Sequence, residues 1–373
     1  MSSRQFYIML AIGVLSMKMQ KLPCLIYGEL GKDGYLLFLA YMIVNILLIG
    51  VVFFVLKRIN SDHVMSKTKQ GLTGAIKGFL MFVASVYFLS QALLLYEHIQ
   101  ALFANTLFDN LSWALFSLLL LFTVFFLAYK GIKNIALNFE IYVWLIVGSF
   151  VVISILGVSY TDMSVILPLD TIDFPKVLDN IPQFSFWFGD ALLVFVLGLK
   201  SKEIKLSKTL IVYSLSMLFI IFMVIEFYGM FGDYSTVQSG LVSVLSSQAL
   251  LGLNVGRVDW FLILFVEMGA ILTCSVYLYY SNECLKTAFH KARPFSLSLI
   301  IISILYLADV FYFKDMSVKI SFFQGLFSWV SFATQIVLLI SLLIFALSVK
   351  DAIKNNSKSK KELKSWDSFL RSV

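Results

Sequence analysis

The sequence predicts an all-α polytopic membrane protein. It would hold about ten transmembrane helices in a five-plus-five inverted-repeat transporter fold with broken first and sixth helices. Three observations carry this. Of 373 residues, 60% are hydrophobic and only 14% are charged, a balance foreign to water-soluble chains of this length. Several apolar runs reach the ~20 residues that cross a bilayer. The leading segments of the two halves are both interrupted, which in repeated-half transporters marks a mid-membrane site.

The expected segments are 5–28 (broken), 35–56, 76–103, 111–129, 136–158, 184–199 (short), 208–231, 258–281, 295–312 and 321–349. Residues 1–350 form one membrane domain, and 351–373 a polar, Lys/Ser-rich cytoplasmic tail. The first segment lacks a small-residue cleavage site and runs on into the fold, so an uncleaved N-terminus is expected. Most of the 29 basic residues fall on alternate loops and the tail, including Lys57, Arg58, Lys130, Lys133, Lys200, Lys205 and Lys208. The other loops are acidic, with Asp109, Asp162, Asp170, Asp173, Asp179, Asp233 and Asp315. Positive charge stays inside, so both termini are expected in the cytoplasm. The net charge of +7 then reads as topology and contact with anionic membrane lipid, not nucleic-acid binding. Cys24, Cys274 and Cys284 make an odd, dispersed set, which argues against disulfides or a metal site.

The first segment organises the rest. Its apolar run turns polar within Gly13 to Pro23, with Lys18, Gln20 and Lys21 at membrane depth. A lysine there costs about 3 kcal/mol on insertion scales. Pro23 removes a backbone donor. The sixth segment opens Phe184-Ser185-Phe186-Trp187-Phe188-Gly189-Asp190 and continues only to Leu199. It is too short to span unless non-helical chain precedes it. Asp190 faces two readings, a helix cap or a site carboxylate. Gln91 would either face the same site or bond a neighbouring helix. Glu267, deep in the eighth segment, is a functional candidate by position. It would carry a proton or pair with Lys18. Glu140 reads as a helix-start charge. Loop 159–182 is expected to be ordered in part by Pro168, Pro175 and Pro182, and loop 232–252 to hold a surface helix. His63, His98 and His290 are scattered, and no catalytic motif spacing or phosphate loop is present, so neither an enzyme nor a cofactor is expected.

With these residues in view, the chain resembles the B subunit of bacterial spore-germination nutrient receptors, a branch of the amino acid–polyamine–organocation transporters. Leu22-Pro23 followed by Gly31-Lys32-Asp33-Gly34-Tyr35 is similar to a motif after that family's first break. Lys130-Gly131-Ile132-Lys133-Asn134-Ile135-Ala136, continuing to Phe139-Glu140, resembles a second. Pro168 sits where the family has its asparagine-leucine-proline loop. Phe186 to Asp190 resembles the opening of its sixth helix, and Arg257-Val258-Asp259 the start of its eighth. Four departures stand out: Ser16-Met17-Lys18 where the family has a small, often Gly-rich break, Leu137 for a frequent arginine, Val266 for a tryptophan, and Asp190 where a glutamate is common.

The resemblance implies a subunit that binds a small germinant and signals to A and C receptor subunits in the spore inner or bacterial cytoplasmic membrane. It implies a ligand between the two breaks. Backbone groups of Leu15, Ser16 and Met17 would meet its polar ends, beside Lys18 and Asp190. Phe186, Trp187 and Gly189 would face it, with Gln91 and Glu267 or Thr273 closing the site. A lysine at the break takes the space of a ligand ammonium or coupling cation, which favours an anionic or uncharged ligand. Two other readings stand beside this one: a proton-coupled amino acid permease, and an assembly scaffold that no longer binds ligand.

Overall fold

Pro23 sets where the first membrane helix stops. It has no N–H to give the carbonyl of Met19, and its ring collides with that carbonyl in a continuous helix. In the computed structural model, α1 accordingly spans Ser3–Lys18 and α2 resumes at Leu22–Leu30. The break is therefore Met19-Gln20-Lys21, later than the expected stretch around Leu15 to Met17. Those three residues lie in regular helix, and the carbonyl of Leu15 accepts from the Met19 N–H at 3.0 Å. The structure describes residues 1–59, 72–106, 113–166, 173–201, 203–238, 240–242, 245, 259–289, 300, 303, 306–307 and 327–344.

Ser2 and Gln5 close a capping box at the start of α1, satisfying two orphan donors reciprocally. From Met9 to Lys18 nearly every residue is buried. A helix enclosed on all faces belongs to the middle of a bundle, and α1 packs against four other helices. After α2, Gly31 at φ +59° turns the chain, a conformation glycine adopts without penalty.

Helices α3 (Gly34–Ile59), α4 (Leu72–Thr106), α5 (Trp113–Lys130) and α6 (Ile132–Val158) follow. α5 and α6 are joined by Gly131 alone, at φ +90°. The chain after α6 carries α7 (Phe174–Asp179) and α8 (Ile181–Phe184), with Pro175 and Pro182 in their first turns, where a missing N–H does no harm. A 3-10 turn, Ser185–Phe188, leads into α9 (Asp190–Leu199). α10 (Leu206–Phe231) ends in a 3-10 turn, Gly232–Thr236. Helix α11 runs Asp259–Ala288 and α12 runs Phe327–Ile344.

The chain is a multi-pass membrane protein. Seven of the described helical stretches are long and apolar enough to cross a bilayer, among them the composite Ile181–Leu199. Leu47, Phe79, Phe122, Ile141, Ile155 and Leu215 are exposed on their helices, as lipid-facing side chains are. Loop 232–252 departs from the expectation of a surface helix. Its described residues Leu241, Val242 and Leu245 are helical but fully buried. Their spacing puts them on one face, which packs inward. Asp109, Pro168, Asp170, Arg257, Val258, Asp315, most of segment 295–312 and the tail 351–373 lie outside the described residues.

Candidate functional site

The two breaks meet through a buried ion pair. The Nζ of Lys18, the last residue of α1, lies 2.7 Å from Oδ1 of Asp190, the first residue of α9. The two side chains are 0% and 2% exposed. The Lys18 ammonium also sits 5.1 Å from the centroid of the Phe188 ring, a favourable cation–π placement. Phe188 is stacked on Tyr41 at 3.8 Å. Tyr213 donates from its hydroxyl to Oδ2 of Asp190 at 3.2 Å. Both carboxylate oxygens thus have donors, and the charge is matched within the protein. Asp190 is therefore more than a helix cap.

The sixth-helix break is filled from outside. Tyr41 donates from its hydroxyl to the Ile181 carbonyl. Asn45 Nδ2 donates to the Phe188 carbonyl at 3.1 Å. Gln91 Nε2 donates to the Phe186 carbonyl at 2.7 Å. Gln335 Nε2 donates to the Ser185 carbonyl at 2.9 Å, and Ser328 Oγ to the Gln183 carbonyl. Non-helical backbone at membrane depth persists only where such partners satisfy it. Gly189 is required sterically: a Cβ there would lie 1.8 Å from the Tyr87 hydroxyl.

The first-helix break is held differently. The Leu241 N–H donates to the Gln20 carbonyl at 3.2 Å. Lys21 donates from Nζ to the Gln238 carbonyl. The Tyr228 hydroxyl donates to the Pro23 carbonyl at 2.9 Å. Gln20 Nε2 donates to Oε1 of Glu267 at 2.6 Å. So Glu267 meets Gln20, while Lys18 turns to Asp190. Four buried side-chain atoms near the breaks have no hydrogen-bond partner among the described residues: Ser16 Oγ, Asn45 Oδ1, Trp187 Nε1 and Glu267 Oε2.

Of the expected site residues, Lys18, Gln91, Asp190 and Glu267 are brought together with the two breaks by direct bonds. Phe186 and Trp187 are buried within the sixth break and pack edge to face at 5.8 Å. Thr273 turns its hydroxyl to its own helix, donating to the Gly269 carbonyl at 2.8 Å. Its methyl faces Gly13. Glu140 sits on the N-terminal side of α6, 3.4 Å from Arg4 and accepting from Gln5.

Sequence reasoning passed over Tyr41, Asn45, Tyr213, Ser328 and Gln335. Each is an ordinary polar residue in an apolar run, with nothing local to mark its partner. It also missed Glu226 on α10, which is 1% exposed and accepts from Ser154 at 2.9 Å. Here a signal existed, because a carboxylate inside an apolar segment is the criterion that singled out Glu267.

A model of the family described as spore germination protein matches residues 1–318. No curated protein matches the chain. The match covers both breaks, the Lys18–Asp190 pair and Glu267. The chain thus belongs to the spore germination protein family.

Proposed function

We propose that this chain is a nutrient germinant receptor subunit. It binds a small, amino-acid-like molecule in mid-membrane and passes the signal to A- and C-type receptor subunits. Its termini lie in the cytoplasm, and its membrane is the spore inner or the bacterial cytoplasmic membrane. The observation that carries this reading is the ion pair joining the two helix breaks, because a ligand entering there biases both halves at once. The unpartnered polar atoms of Ser16, Trp187 and Glu267 offer that ligand hydrogen bonds. Family membership supports the germination role.

The test is a thermal-shift screen of the purified protein in detergent, with amino acids, sugars, nucleosides and small anions. A ligand at 100 times its Kd stabilises by about 2.7 kcal/mol. A solute that raises Tm for the wild type, and is lost or exchanged in Lys18→Gly, supports the reading. Silence across the panel from a folded protein overturns it and leaves the scaffold reading.

A proton-coupled permease is the second reading, favoured by Glu267, a fully buried carboxylate held only by a glutamine amide among the described residues. Uptake into proteoliposomes driven by a pH gradient would select it. Ligand binding without uptake selects the receptor.

A further inference from the structure

We propose that Glu267, with Ser16 beside it, is the seat for the ammonium group of the ligand, a small primary amine such as an amino acid. This rests on the mid-membrane binding reading above and names the ligand's charged end within it. A break that carries its own lysine would otherwise argue for anionic or uncharged ligands.

Asp190 is not available to a ligand cation. One oxygen holds the Lys18 ammonium at 2.7 Å and the other accepts from Tyr213. The aromatic face beside it is covered by that same ammonium. The chain has thus filled the sixth-helix seat with its own amine.

Glu267 is the opposite case. It is 0% exposed, and Gln20 holds Oε1 at 2.6 Å while Oε2 has no partner among the described residues. Ser16 Oγ is equally buried and equally unpartnered. The two belong to one seam. Ser16 lies in the last turn of α1 and Gln20 in the break that follows it, and both meet α11. Ser16 Oγ lies 3.2 Å from where a Cβ on Gly269 would sit, and Gln20 bonds Glu267 two residues away.

The charges point the same way. Lys18 and Asp190 cancel. Glu267 has no ion-pair partner among the described residues. A carboxylate buried alone is costly, and a hydrogen-bonded counter-charge offsets part of that cost. An ammonium brings both the charge and three donors. Glu267 Oε2 and Ser16 Oγ would take two of them, while Gln20 fixes the carboxylate's orientation.

The experiment is a binding titration on the full-length protein, using thermal shift and equilibrium dialysis. The probes are the protein amino acids, with the N-acetyl and deamino analogues of each that binds. The expected result is that the free amine binds and neither analogue does. Glu267→Gln, which keeps the shape and the Gln20 contact, should weaken binding about 30-fold or more. Ser16→Ala should weaken it about 3- to 10-fold. Trp187→Phe reports on the site without touching the ammonium seat. If Trp187→Phe weakens binding while Glu267→Gln does not, the site stands and the seat is wrong. Equal binding of the N-acetyl analogue also overturns the seat. So does a Glu267→Gln protein that binds normally but loses uptake driven by a pH gradient, since Glu267 then carries a proton. If no amino acid binds the wild type while a sugar, nucleoside or small anion does, the seat falls and the mid-membrane reading stands; silence across that whole panel ends both.

Discussion

The two helix breaks look alike in sequence and differ in construction. At the sixth-helix break, carbonyls from Ile181 to Phe188 are met by side chains from α3, α4 and α12. At the first-helix break, part of the support is backbone from the chain after α10, at Gln238 and Leu241. Beside it, Ser16 and Glu267 keep unpartnered atoms. One break is therefore closed by the rigid bundle. The other is closed partly by the chain after α10 and leaves a carboxylate oxygen of Glu267 without a partner among the described residues, where the sixth break leaves only the neutral Asn45 Oδ1 and Trp187 Nε1. Satisfied polar networks specify one arrangement, whereas incomplete ones are where a ligand finds free energy to gain.

The largest effect should come from the bond that ties the two breaks together. Lys18→Met alone leaves Asp190 buried without its counter-charge, and should destabilise by about 3–5 kcal/mol. The double variant Lys18→Met/Asp190→Leu should recover most of this in thermal melts. If the single and double variants melt alike, the pair does not couple the breaks.

Next comes the steric fit of the sixth break. Gly189→Ala drives a methyl onto the Tyr87 hydroxyl and should cost about 1–3 kcal/mol. Adding Tyr87→Phe should return part of that loss, because the next ring atom is 3.1 Å away. No recovery would mean that Gly189 is needed for backbone reasons instead.

Gln91→Leu strands the buried Phe186 carbonyl, at about 1–3 kcal/mol. Tyr228→Phe at the first break removes the donor to Pro23 and should cost about 1 kcal/mol. The contrast predicts that Gln91→Leu mainly lowers Tm, while first-break variants mainly change the response to ligand. Equal effects on both readouts would erase the distinction.

The smallest effect lies outside the membrane. Hydrogen bonds from Ser164 hold the Asp162 carboxyl below the usual carboxylate range. A depressed carboxylate contributes stability above its unfolded pKa and loses it as pH falls through the folded value. Ser164→Ala should move the Asp162 titration up towards the ordinary range, measured by NMR. Neither break should respond.

The sequence made the breaks legible because their causes are local. Pro23 interrupts its own helix, and the run from Ala191 to Leu199 that follows Phe184 to Asp190 is too short on its own to span. The exact turn was less legible. The carbonyl that Pro23 displaces lies four residues back, at Met19, so Leu15 to Met17 stay helical. Pairing was not legible at all. Glu267 was the partner weighed for Lys18, and only the packing of α1 against α9 brings Asp190 to it instead. Tyr41, Asn45, Ser328 and Gln335 act through carbonyls of a distant segment whose position no sequence pattern reveals.

The Lys18–Asp190 contact also has a consequence in time. The two residues are 172 positions apart. At ~5–20 residues per second of synthesis, Lys18 waits roughly 10–30 s for its counter-ion. During that interval the first segment carries an uncompensated lysine and is a poor candidate for stable insertion on its own. The N-terminal segment is expected to settle late, after the sixth has been made. In early truncation products the first segment should therefore be loosely seated while the apolar stretch Leu22–Lys57 stays in the membrane, and the first segment should become firmly seated only once Asp190 is present.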